Sequence, residues 1–371
     1  MEFVKMKKTF KFRIFPSKSN ISKLNNIIEL CRFVYNRGLS FKINQYKRYK
    51  KSYTKFDMDK WITTHRSEKP ELKSVYTQVL QNTMTRLDEA YRGFFRRIKA
   101  NGEKAGFPRF QGEGRYNSFT FPQFGFKTKE NMLYISKIGW VRANFHREIE
   151  GKIKQLTITR SLTDKWYACF ICEIDQTLLK PNKKAVGIDL GITSFTTDSD
   201  GNKVDYPRHY EKAQSNLARL QRKLEHSKKK KERTKVKKAL RLANEKVVNK
   251  RKNFLHKTSR KLVNDNGAIA FEKLNIKALQ QKHWVSKQIS DASWATFTKM
   301  VSYKAEWAGR KVVFVNPAYT SQTCSNCGEI VRKKLSDRIH HCNCGLEIDR
   351  DHNAAINILT LGLESLEGSP S

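Results

Sequence analysis

The chain has 371 residues, with 74 Lys+Arg against 35 Asp+Glu and a formal net charge of +39. An excess of that size repels itself in the free protein and calls for a polyanionic partner, nucleic acid being the default. No apolar run approaches the roughly 18 residues that span a bilayer, the first twelve residues carry no signal-peptide pattern, and 38% hydrophobic residues suffice for buried cores, so membrane, secreted and wholly disordered classes fall away.

Lys8–Ile14 alternates apolar with basic or polar residues and predicts one strand, ended by Pro16. From Asn20 to about Ala100 apolar residues recur at helical spacing (Leu24, Ile27, Cys31, then Leu80, Met84, Leu87), which predicts helices with basic faces. Four glycines and Pro108 between Gly102 and Gly114 mark a boundary. Five short strand patterns follow (Phe119–Phe121, Leu133–Ile135, Trp140–Arg142, Gln155–Thr159, Trp166–Ile174), spaced as in a small barrel or sandwich that the first strand could join.

After Leu179–Lys184 the pattern turns α/β. Ala185–Asp189 reads as a buried strand, with Phe195–Asp198 and a turn at Ser199–Asn202 forming an antiparallel hairpin. Lys212–Leu262 carries twenty Lys/Arg against three Glu on two predicted helices, broken near Lys228–Lys231. Ala268–Glu272 and Lys311–Val315 are further strands, Ala292–Trp307 a helix, and Asn353–Leu361 the last helix.

Cys324-Ser-Asn-Cys327-Gly and, after 14 intervening residues, Cys342-Asn-Cys344-Gly form two thiol pairs on glycine-containing turns. Four thiolates suit a tetrahedral Zn²⁺ that would serve as the core of a segment too small to have an apolar one. The second pair has one intervening residue instead of two, and His340 and His341 stand beside it, so a Cys₃His set is the alternative. Cys169 and Cys172 share the C-x-x-C spelling but lie on an apolar strand, where residues three apart face opposite ways; they and Cys31 read as core.

In so basic a chain, acids at strand ends stand out. Asp189 closes one apolar strand, Glu272 another, and Asp349 and Asp351 bracket Arg350 before the last helix. Three carboxylates converging from separate elements could hold two Mg²⁺ ions, one activating water and one stabilising the leaving oxygen of a phosphodiester. Taken singly, each is an ordinary turn or N-cap residue, and spacing does not choose between Asp349 and Asp351.

Gly187-Ile-Asp-Leu-Gly191, Ile269-Ala-Phe-Glu-Lys-Leu-Asn275, Thr320-Ser-Gln-Thr-Cys-Ser-Asn-Cys-Gly328 and Ile348-Asp-Arg-Asp-His-Asn-Ala-Ala-Ile-Asn-Ile358, in this order, resemble TnpB, the insertion-sequence nucleases related to type V CRISPR effectors. The resemblance spans Lys183–Leu363 and extends more loosely through Thr9–Pro16, Leu87–Phe95 and Phe107-Pro-Arg-Phe110. It implies a multidomain α+β protein with an RNase H-like (RuvC) α/β nuclease domain interrupted by a zinc ribbon, preceded by a small wedge-like β-barrel with a helical recognition insertion. The boundaries follow: barrel 1–15 and 112–182, helical domain 16–111, nuclease 183–319 and 348–371, ribbon 320–347. On this resemblance Asp189, Glu272 and Asp351 match the three RuvC acids, and the activity implied is RNA-guided cleavage of double-stranded DNA beside a short target-adjacent motif. The short second cysteine pair departs from the family pattern.

A guide RNA supplies sequence specificity by pairing, so the protein needs mainly backbone contacts, which +39 suits. Lys228, Lys229, Lys230 and Lys231 are candidate phosphate contacts, and Gln78, Gln81 and Asn82, preceding Arg86, candidate base readers. Tyr91, Phe94 and Phe95 read as core rather than as stacking platforms. The expectation is a monomeric, cytoplasmic and nucleoid-associated prokaryotic nuclease using Mg²⁺ and Zn²⁺, with guide RNA and target DNA as partners and no membrane. The competing expectation is a noncatalytic zinc-containing nucleic-acid-binding accessory protein of a transposon.

Overall fold

The computed structural model describes residues 5–100, 105–275, 290–334 and 337–367. Parts of the expected barrel, helical, nuclease and ribbon segments (1–4, 101–104, 276–289, 335–336 and 368–371) lie outside the described residues. Two compact units result, Met1–Asp175 and Gln176–Ser371.

In the first unit, β1 (Lys5–Phe15) is followed by α1 (Lys18–Tyr49), α2 (Lys55–Glu68), a 3₁₀ turn (Pro70–Ser74) and α3 (Thr77–Lys99). The strands β2 (Ser118–Phe121), β3 (Phe126–Lys129), β4 (Met132–Ile135), β5 (Gly139–Asn144), β6 (Lys152–Arg160) and β7 (Trp166–Asp175) follow. Pro16 ends β1, and Ser17 Oγ caps α1 by accepting from Asn20 N at 3.2 Å. Thr54 and Asp57 form a reciprocal capping box on α2. The seven strands run in the order β2-β6-β7-β1-β5-β4-β3, so β1 joins the sheet between β7 and β5 although helices α1 to α3 intervene in sequence.

Alternation on β1 turns Phe10, Phe12 and Ile14 inward, where they meet Phe170 and Ala168 of β7 and the buried side of α1. The sheet curls until its two edges nearly meet: the rings of Phe121 on β2 and Phe126 on β3 are 6.3 Å apart. Cys172 and Cys31 are fully buried and Cys169 half-buried, and burial pushes the Cys31 thiol up to about 11. These three are packing residues.

The second unit opens with β8 (Ala185–Asp189), β9 (Ser194–Asp198) and β10 (Lys203–Asp205), then α4 (Glu211–His226) and α5 (Lys230–Asp265). There follow β11 (Ala268–Glu272), α6 (Trp294–Ala308), β12 (Lys311–Val315), the small ribbon β13 (Ile339–His341) and β14 (Glu347–Asp349), and α7 (Arg350–Glu367). The main sheet has the order β10-β9-β8-β11-β12; its first three strands are antiparallel neighbours and β8, β11 and β12 run parallel. Helices supply the crossovers between the parallel strands, as such connections require.

Helix α7 packs on this sheet at a distance only glycine permits. A Cβ at Gly187 would collide with the Ala355 carbonyl oxygen, and one at Gly362 would lie 2.5 Å from the Ala270 Cβ. On the sheet's core side Phe195, Phe271 and Phe297 are fully buried and meet edge to face. The α4–α5 break falls at 227–229, close to where the lysine run predicts it.

Candidate active site and metal centre

Pairing of β8 with β11 in parallel register, Ile188 opposite Phe271, brings the next residues, Asp189 and Glu272, side by side at the carboxyl ends of adjacent strands. Open α/β sheets bind ligands at that edge. The third acid comes from the first turn of α7, whose position is fixed by Gly187. A Cβ built on Gly191, just past Asp189, would lie 2.7 Å from Ser194 O, so only glycine lets the chain turn so closely there, and Asp351 Oδ2 is 3.9 Å from the same point, which places Asp351 beside the strand end.

The electrostatics follow from that convergence. Burial, then the charges of Glu272 and Asp351, push the Asp189 carboxyl well above the usual range, partly opposed by Arg350. Burial also raises Glu272, against a hydrogen bond donated by the Thr320 hydroxyl to its Oε1. Three acids held together, with Arg350 on Asp351 as the cation beside them, form an oxygen-rich group suited to hard divalent cations. The three are in electrostatic reach but not clustered as tightly as the cysteines, the group whose ligand atoms all lie within 4.8 Å of one another among the described residues.

Asp349 has a different job. Its Oδ1 accepts from Asp351 N and His352 N, both at 3.1 Å, and its Oδ2 holds Lys203 at 2.7 Å. It therefore caps α7. Against the cost of burial, the Lys203 ammonium and the two amides hold its carboxyl below the usual range. Because the cap sits at Asp349, the helix starts at Arg350, three residues before the predicted start, and runs six residues beyond the predicted end.

The cysteine turns meet as pairs. Cys324 Sγ is 3.7 Å from Cys344 Sγ, and Cys327 Sγ is 3.5 Å from Cys342 Sγ. A tetrahedron of bonds of about 2.3 Å has ligand separations of about 3.8 Å, so these residues fit one metal ion such as zinc. Each pair is followed by a glycine with positive φ, Gly328 at 80° and Gly345 at 89°. Asn326 Nδ2 points at Cys344 Sγ from 3.6 Å and leads the groups that bring this thiol down to about 6, favouring the thiolate that metals bind. His340 is buried, in contact with the Lys333 ammonium, and is not part of the cluster.

Sequence spacing gives no sign of what ties this centre to the acids. Asn353, fully buried on α7 two residues past Asp351, donates to Thr323 O at 2.7 Å and accepts from Ser325 N at 3.0 Å. Asn357, one turn on, donates to Thr320 O at 2.8 Å and Thr323 O at 2.7 Å.

The expected nucleic-acid contacts are distributed as follows. Lys228, Lys229, Lys230 and Lys231 are exposed at the α4–α5 break. Gln78, Gln81 and Asn82 are half-buried on α3, and Gln78 Oε1 is buried without a partner. Arg86 is committed to Ser118 O and Thr120 Oγ1 at 2.8 and 2.7 Å, anchoring α3 to β2. Tyr91 and Phe94 are half-buried around Phe107, but Phe95 is 54% exposed and is surface among the described residues, contrary to its reading as core: it lies at the end of α3's apolar stripe, where no described element covers it. No helix among the described residues is long and apolar enough to cross a membrane.

Three family models match: "Helix-turn-helix domain" over residues 6–51, "Probable transposase" of the IS605 OrfB type over 170–283, and "Cas12f1-like, TNB domain" over 294–358. The first label does not describe the structure, which has strand β1 and the single 32-residue helix α1 there. The chain is 29% identical, over 97% of its length and 93% of the relative's, to "Putative RNA-guided DNA endonuclease InsQ" of Escherichia coli K12. It is 29% identical to a "Putative RNA-guided DNA endonuclease" of Streptomyces pristinaespiralis, covering 96% of this chain and 90% of that one. Among solved structures, a Cas12f1 from an sgRNA–target DNA complex superposes with a TM-score of 0.62 at 13% identity, over 95% of this chain and 98% of the other. That likeness is one of fold. The IS605 match, the two near-full-length relatives and the ordered acidic and cysteine motifs make this chain similar to IS605 OrfB-type transposases and to RNA-guided DNA endonucleases.

Proposed function

We propose that this protein is an RNA-guided DNA endonuclease that cleaves double-stranded DNA next to a short target-adjacent motif, using a transposon-derived guide RNA. The observation that carries the reading is the meeting of Asp189, Glu272 and Asp351 from two neighbouring strand ends and a helix start, with Asp189 disfavoured as an anion by burial and then by the other two. The named relatives agree with it.

In this reading the 185–315 sheet with α7 is an RuvC-like, RNase H-type nuclease domain, the cysteine segment a zinc ribbon, and the first unit a wedge-like barrel carrying a helical recognition insertion. Two Mg²⁺ ions bound to the acids would activate water and stabilise the leaving oxygen of the phosphodiester. The chain's own residues do the rest. Thr320 orients Glu272 through its hydroxyl, Asp349 starts α7 so that Asp351 faces the strand ends, and Arg350, 3.3 Å from Asp351 Oδ1, fixes that carboxylate's rotamer. Zn²⁺ on Cys324, Cys327, Cys342 and Cys344 would hold Thr320 and Thr323 in place beside α7. Lys228–Lys231 would track phosphates, and Gln78, Gln81 and Asn82 would read bases. The protein would act as a monomer in a prokaryotic cytoplasm, at the nucleoid.

The test is to purify the protein with its co-expressed RNA and offer plasmid carrying the matching target with Mg²⁺. A linear product, absent for Asp189→Ala, is the expected result. A plasmid shifted in mobility but uncut, with Asp189→Ala indistinguishable from wild type, would establish the noncatalytic accessory protein instead.

A further inference from the structure

Asp351 stands on the first turn of α7, and helix ends are the part of a helix most given to opening. Its neighbour, His352, lies against the β9–β10 turn. The imidazole Nε2 is 3.2 Å from Ser199 O, and a Cβ built on Gly201 would lie 3.0 Å from the imidazole Cε1. A carbonyl oxygen only accepts, so Nε2 carries the proton and donates. Gly201, at φ 83°, adopts a conformation that favours glycine, and its bare backbone lets the ring come this close. The turn is itself fixed. Asp198 Oδ1 accepts from Asp200 N at 3.0 Å and from Asn202 N at 2.8 Å, closing it from within. Ser199 N donates to Gly187 O at 3.0 Å, and Ser199 Oγ accepts from Gly187 N at 3.2 Å. Ser199 is thus registered to β8, the strand that ends at Asp189.

We propose that His352 is a positioning residue: by tying the first turn of α7 to Ser199, it sets where Asp351 stands relative to Asp189 before a divalent ion binds. The path is short, because β8 fixes Ser199, Ser199 fixes the imidazole, and the adjoining residue is the third acid. Asp189 and Asp351 repel each other when both are ionised, so an untethered helix end would carry Asp351 away and the ion would have to draw it back. Ligands already in place cost the ion less to bind. The hairpin reaches α7 a second time, through Lys203 on Asp349, but both side chains of that pair are more than a third exposed, where ion pairs are screened and contribute little. The imidazole is therefore the principal tether from the hairpin. The proposal deepens the reading of the three acids as a metal site and rests on it.

The experiment compares His352→Ala with His352→Gln in the full-length, RNA-loaded protein. The glutamine amide nitrogen reaches about as far from the backbone as the imidazole Nε2 and can donate to Ser199 O. Three quantities are read: amide exchange at Asp351 and His352, whose N–H groups are held by Asp349, in Mg²⁺-free buffer; the Mg²⁺ concentration that half suppresses that exchange; and the Mg²⁺ concentration for half-maximal DNA cleavage. In His352→Ala the exchange should be faster and both Mg²⁺ concentrations higher on the order of tenfold, with RNA binding unchanged. His352→Gln should return all three to the wild-type values. Gly201→Ala, whose methyl group would press on the imidazole, should behave like His352→Ala. Gly139→Ala, also at positive φ (103°) but with nothing within 4 Å of the added carbon, should match wild type in all three. An alanine variant indistinguishable from wild type, or a glutamine variant as impaired as the alanine one, would overturn the proposal. Exchange in the wild type that Mg²⁺ fails to suppress would sink the metal-site reading, while the Mg²⁺-free exchange still decides on His352.

Discussion

The Thr320 hydroxyl donates to Glu272 Oε1, joining the loop that leads into the first cysteine turn to the acid at the end of β11. That bond favours the carboxylate, against burial, which favours the acid form. In Thr320→Val the donor is gone, Glu272 is harder to ionise, and the acidic limb of the pH–rate profile for DNA cleavage moves to higher pH while the alkaline side stays put. An unmoved limb would show that Glu272 does not set it.

Asp189 makes the opposite of a stabilising contribution near neutrality. Its folded pKa is raised, so the stability it confers is present below the ordinary Asp value of about 4 and is lost as pH rises through the raised folded value. Asp189→Asn should therefore melt on the order of a few degrees higher than wild type at pH 7.5 in Mg²⁺-free buffer with zinc retained, the gap closing by pH 4. Added Mg²⁺ should raise the melting temperature of the wild type alone. Scanning calorimetry at several pH values checks both.

Gly187 should tolerate no side chain. A methyl group there meets the Ala355 backbone, which cannot rotate away, so Gly187→Ala should cost about 1–3 kcal/mol or more and displace α7 with Asp351. Gly106→Ala, with nothing within 4 Å of the added carbon, should stay within about 0.5 kcal/mol of wild type. Chemical denaturation of both variants makes the comparison.

Asn353→Ala should leave the Ser325 amide without its acceptor while Thr323 O keeps Asn357, a loss of about 1–3 kcal/mol. The measurable consequence is faster amide exchange at Ser325 and quicker zinc release to a chelator. Removing the metal outright should expose 323–334 and 337–345 to protease, since that segment buries little apolar surface of its own.

Much of the site was legible because its acids end apolar strands: Asp189 and Glu272 stand out against Val186, Ile188, Ile269 and Phe271. The choice between Asp349 and Asp351 was not legible from spacing, because either can start a helix; a pair of amide hydrogen bonds makes the first the cap. The barrel's strands were visible as short alternating runs, but the insertion of β1 between β7 and β5 depends on contacts more than 120 residues apart, beyond any local pattern. Asn353 and Asn357 look like unremarkable helix residues until the cysteine turns are seen against them.

The most direct test of the account is single-turnover cleavage of guide-matched DNA in Mg²⁺ by RNA-loaded wild type, Asp189→Ala, Glu272→Ala, Asp351→Ala and Asp349→Asn. The account predicts that the first three variants bind the RNA as wild type does and cut at least about a thousandfold more slowly, whereas Asp349→Asn, which keeps a capping side chain, still cuts. Cleavage that survives at Asp189→Ala, or that is lost at Asp349→Asn and kept at Asp351→Ala, would contradict it.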